Sequence, residues 1–155
     1  MIARAKRMAK SGRNPVNVKR AQNRRSGRSN RRGRGRLKAD PDREERISLE
    51  IVVDAYDASE RAMGWFAYLE TELQFPFTAR CTERRAISPL LAGDEVEVVS
   101  MAPADECSHE MFVMVRWEHG GLGVPLSQLA PDAAEAGTEV AVADWRYWVS
   151  HGYQF

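Results

Sequence analysis

Between Arg20 and Lys38 the chain carries no acidic residue and one large apolar side chain, Leu37. Such a segment has almost nothing to bury, so it cannot offset the ordering entropy of its own backbone. Whatever folds must lie elsewhere in the 155 residues. The charge map draws a similar border. Residues 1–46 hold 17 Lys and Arg against 4 acids, a net +13, whereas residues 47–155 hold 6 Arg, no Lys and 18 acids, a net −12. We therefore expect residues 1–46 to be a disordered basic arm that ends in a linker, "DPDREER" at Asp40 to Arg46, and residues 47–155 to be one acidic domain.

Dense arginine without neighbouring acids attracts phosphate and releases counterions. Arg24, Arg25, Arg28, Arg31, Arg32, Arg34 and Arg36 are accordingly the candidate contacts to RNA or to an acidic partner. The same stretch has no aromatic residue on which a base could stack, and a solvated leader explains its composition equally well.

The acidic part is patterned. "ISLEIVVDAY" places Ile47, Leu49, Ile51 and Val53 on one face of a short strand, or leads into a helix. In "DASERAMGWFAYLETEL", Asp57 and Glu60 fit a capping box. Helical spacing then aligns Ala62, Phe66, Leu69 and Leu73, while Met63, Trp65 and Tyr68 widen the apolar surface. Pro76 closes this helix. Beyond it the period changes to two, with Phe77, Ala79 and Cys81 alternating against Thr78, Arg80 and Thr82. A strand from about Glu95, a strand in "EMFVMVRWE", a tight turn at "HGG" and a strand in "LGVPL" follow, and "SQLAP" reads as one helical turn. "EVAVADWRYWVSHGY" offers a closing strand and a terminal helix with Asp144 as its cap. The expected fold class is α+β: an N-terminal helix packed on a small SH3-like antiparallel β-barrel, with a short C-terminal helix.

No run of about 18 apolar residues could cross a membrane, and the basic start lacks the apolar core of a secretory signal. Cys81 and Cys107 are too few for a disulfide scaffold and read as buried thiols. A cytoplasmic protein is the expectation. No nucleophile elbow, phosphate loop or H-E-x-x-H occurs, and His109, His119 and His151 are scattered, so the chain is not expected to be an enzyme.

Carboxylates are the abundant chemical resource. "DECSHE", Asp105 to Glu110, sets three of them beside a thiol and an imidazole. Uncompensated acids repel one another, and a hard cation relieves the repulsion; Ca²⁺ takes roughly 6–8 oxygen ligands. There is no EF-hand loop, so such a site must be assembled from separate segments. Asp105, Glu106 and Glu110 are the first candidate ligands, and Glu70 and Asp94 the second. Zinc through Cys107, His109 and Glu110 is the weaker alternative: on an extended strand residues 107 and 109 would face away from 106 and 110. On the residues alone, a solvated acidic loop competes with both.

A resemblance bears on that choice. "EIVVDAY", "AMGWFAYLE", "LQFPFTARC", "RAISPL", "GDEVEV", "ECSHEMFV", "VPLSQL" and "DWRYWVSHGYQF" occur in this order over residues 47–155. Together they resemble the small calcium-binding protein family of cyanobacterial type that lacks EF-hands. The resemblance implies a compact domain that binds Ca²⁺ through acidic surface residues, in a buffering or signalling role. The basic arm lies outside it. The alternative is an SH3-like binding module with an Arg/Gly-rich tail that holds RNA or another partner.

Overall fold

The expected linker is a helix. In the computed structural model, which describes residues 37–155, α1 runs from Pro41 to Arg46 and continues through a π-helical turn, Ile47–Ile51. Asp40 caps it, its carboxylate accepting from the Arg43 N–H at 3.2 Å, and Pro41 occupies the first helical position, where its fixed φ is an asset. Asp-Pro therefore starts a helix here rather than marking a hinge. The strand alternative for residues 47–53 also fails. Ile47 and Ile51 are buried, but Leu49 and Val53 are more than half exposed, so burial follows a four-residue period. Of the basic arm and linker expected over residues 1–46, residues 1–36, with the seven candidate arginines, lie outside the described residues.

The capping box opens α2, Ala58–Glu72. Asp57 accepts from the Glu60 N–H at 2.9 Å, and the Glu60 carboxylate accepts from the Tyr56 N–H at 2.6 Å. Its inward face is Ala62, Trp65 and Leu69, with Phe66 and Tyr68 partly covered; Met63 points out and is 69% exposed. Gly64 lets α2 approach the end of α1: a Cβ there would lie 2.3 Å from the Ile51 carbonyl oxygen. The helix stops at Leu73, ahead of a cis Phe75–Pro76 bond.

Five strands follow: β1 Phe77–Cys81, β2 Glu95–Met101, β3 Phe112–Trp117, β4 Gly120–Pro125 and β5 Leu129–Pro131. They form one antiparallel sheet in the order β4-β3-β2-β1-β5. β4 and β5 are its two edges; no ladder joins them, so the sheet is not closed by hydrogen bonds. A register shift between Val98 and Ser100 interrupts the β2–β3 ladder, the kind of bulge that bends a strand. The turn into β4 is Glu118–His119, and Gly120 and Gly121 already belong to the strand without positive φ. A 3-10 turn, Leu126–Gln128, separates β4 from β5, where one helical turn was expected.

The last element is not short. α3 spans Ala136–Ser150, fifteen residues, and takes up the stretch expected to supply a closing strand; β5, an edge strand, lies earlier, in residues expected to form the helical turn. Asp144 does not cap it but sits in its middle, fully buried. α3 packs on α2 and β5. Trp145 meets Trp65 edge-on at 5.1 Å between ring centroids, and Trp148 tilts onto the same ring at 5.5 Å. Val96, Val98, Val113, Val115, Leu126 and Leu129 complete a core continuous with these rings. Among the described residues, no helix is long and apolar enough to cross a membrane.

Candidate functional site

The five candidate ligands occupy distinct environments. Asp105 and Glu106 lie in a 3-10 turn, Ala104–Cys107, between β2 and β3, and both are exposed. The turn is pinned from behind. Cys107 is 1% exposed, and its sulfur accepts from the Phe112 N–H at 3.4 Å and faces the Phe112 carbonyl at 3.6 Å. Because residues 104–107 are helical, the strand parity expected for this stretch does not apply; the thiol is inside and the acids are outside for a helical reason. Burial raises the pKa of both Cys107 and Cys81, which favours the neutral thiol over the thiolate that zinc requires.

Glu110 is already engaged. Arg85 forks onto it, Nη2 lying 3.1 Å from Oε2 and Nη1 contacting Oε1, and the Ser127 hydroxyl donates to Oε1 at 3.1 Å. Asp94 closes the turn before β2 by accepting from the Leu91 N–H at 2.8 Å. Glu70 is exposed on the last turn of α2. Glu70, Asp105 and Glu106 form no ion pair within the described residues. Nor does any set of three or more His, Cys, Asp or Glu residues stand together there as a ready metal shell. The 3-10 turn does pack against α2. A hard cation bound at Asp105 and Glu106 would therefore complete its roughly 6–8 oxygens with water, carbonyl groups or a moved neighbour.

The most complete charged cluster belongs to a residue read only as a helix cap. Asp144 receives Arg43 Nε at 2.9 Å on Oδ1, Arg46 Nη2 at 2.6 Å on Oδ1, Arg46 Nε at 2.9 Å on Oδ2, and the Tyr68 hydroxyl at 2.8 Å on Oδ2. Burial and this bond to Asp144 push the Tyr68 pKa well above the ordinary tyrosine value. Beside it, the Tyr147 hydroxyl donates to Glu44 at 2.7 Å and accepts from the Asp40 N–H at 3.1 Å. α1 buries no residue of its own before Ile47, so its attachment to α2 and α3 is polar. One signal was available in the sequence. Asp144 falls among Ala141, Val142, Trp145 and Trp148, the apolar face of α3, where an acid must find partners.

The chain as a whole has counterparts among known proteins. A family model of CcbP-type proteins, described as calcium binding, matches residues 45–149. The crystal structure of Anabaena CcbP is 39% identical with a TM-score of 0.68, covering 77% of this chain and 98% of that one. A calcium binding protein solved in the calcium-binding form is 40% identical with a TM-score of 0.66, covering 75% of this chain and 95% of that one. No curated protein matches the chain. The family is defined by calcium binding and is not an enzyme family. Its match covers the whole π-helical turn that follows α1, all of α2, all five strands and nearly all of α3, and on that ground the chain belongs to the CcbP calcium-binding family.

Proposed function

We propose that this chain binds Ca²⁺ through exposed carboxylates of its acidic body, without an EF-hand, in a buffering or signalling role in the cytoplasm. Family membership carries the reading. It is supported by the −12 charge of residues 47–155 and by the exposed, unpaired state of Asp105 and Glu106 within the described residues. These two begin the shell. Glu110 joins when it exchanges Arg85 for the ion, and Glu70 and Asp94 are the reserve ligands from neighbouring segments. The sheet order and the 3-10 turn before the last strand also favour an SH3-like reading of the sheet. Calcium that binds only the folded state stabilises it, by about 2.7 kcal/mol at a hundredfold excess over Kd. Calorimetric titration of the full chain with CaCl₂, paired with thermal melts, tests this. Saturable heat and a raised Tm are expected; no heat and an unchanged Tm at millimolar Ca²⁺ would refute it.

A further inference from the structure

A groove of about 1000 Å³ runs between α2 and the 3-10 turn, large for a small-molecule site. Ala62, Met63, Phe66 and Ala67 of α2 form one wall, Asp105 stands on the other, and Phe155 closes an end. We propose that this groove docks a basic amphipathic helix of a partner protein.

Two observations choose that occupant. The first is the apolar face itself. Met63 is 69% exposed on a helix whose other large side chains are covered, and a flexible thioether beside an aromatic ring adapts to varied apolar anchors. The second is charge. At helical spacing, residues 60, 63, 67 and 70 share one stripe of α2, so Glu60 and Glu70 bracket the apolar stretch one turn beyond each end. The facing turn adds Asp105 and Glu106. None of the ion pairs among the described residues involves any of these four acids. An apolar floor with negative ends fits a helix that presents leucine-like anchors at i, i+3, i+4 and i+7 with lysine or arginine beside them. An acidic or neutral helix would lack partners for those ends.

The test titrates the full chain into a fluorescently labelled synthetic peptide of about 18 residues, leucine and lysine at helical spacing, and reads anisotropy. EGTA is present throughout, so the outcome is independent of calcium binding. Micromolar binding is expected, weakened at least tenfold by Met63→Glu and less by Asp105→Asn. Met63→Glu adds a negative charge, so association by charge alone would hold or tighten in that variant, and this result would overturn the proposal. So would the absence of binding at about 100 μM protein. Met63 is largely exposed, so the variant is expected to keep the Tm of the parent, a control for folding. If sedimentation shows a dimer that Met63→Glu converts to monomer, the groove belongs to a second copy and the peptide proposal falls.

Discussion

Asp144, between three helices, and the Asp105–Glu106 pair, in the turn before β3, show two opposite uses of the same functional group. Asp144 is fully buried, and both of its oxygens are filled by two arginines and a tyrosine. Its capacity is spent on holding α1 against α2 and α3. Asp105 and Glu106 are exposed and unpaired among the described residues, so their capacity is open to a ligand. Glu110 lies between these extremes, half-buried and held by Arg85. A count of acids cannot separate these cases. What separates them is whether the fold has already supplied the cations.

Breaking the buried end should have the largest effect. Asp144→Ala leaves Arg43 and Arg46 without their shared partner, and is expected to cost about 3–5 kcal/mol in urea unfolding. Removal of residues 1–46 should cost a comparable amount, because it strands the buried carboxylate. A chain starting at Ala39 keeps α1 and should retain its stability. Equal stability of the two truncations would contradict the role given to α1. Gly64→Ala is next. Helix propensity alone would favour it by about 1 kcal/mol, but the clash with the Ile51 carbonyl should make it destabilising by about 1–3 kcal/mol. A gain in Tm would show that α2 does not approach α1 so closely.

Glu110→Gln tests the intermediate case. Its pair with Arg85 is partly exposed, so a loss of about 1 kcal/mol is expected. Asp105→Asn with Glu106→Gln should change stability by less than about 0.5 kcal/mol without calcium, while calcium affinity falls about tenfold. The two ends of the comparison thus invert: one variant loses fold, the other loses ligand. Alkaline pH sharpens the buried end further. The folded pKa of Tyr68 is raised, so its contribution is full below the ordinary value near 10 and is lost as the pH rises beyond it. Urea midpoints measured from pH 8 to 11 should fall at the alkaline end, and Tyr68→Phe should flatten that fall.

Much of the body was legible in its sequence because the signals were local. The box at Asp57 and Glu60 lies within four residues, and the alternation of Phe77, Ala79 and Cys81 directly predicts the burial seen in β1. Residues 41–53 were harder. Asp40-Pro41 suits both a turn and a helix start, and Ile47, Leu49, Ile51 and Val53 alternate although only the first and third are buried. Asp144 stands out as an acid on an apolar helix face, but the identity of its partners was out of reach for another reason. Its partners lie 76 to 101 residues away along the chain, and nothing local to "VADWRY" names them. The acidic turn was legible as a cluster in sequence but not as a shell in space, because Glu70, Asp94, Glu110 and the Asp105–Glu106 pair are placed by different segments. For Glu110 and Asp94, the decisive fact is a partner, Arg85 or the Leu91 N–H, that spacing among acids does not reveal.

The most direct test of this division is a residue-resolved NMR titration of the full chain with CaCl₂. Saturable shifts are expected, concentrated at Asp105, Glu106 and their neighbours up to Glu110, with Asp144 and its partners unmoved. Shifts centred on α1 and Asp144, or none at millimolar Ca²⁺, would contradict it.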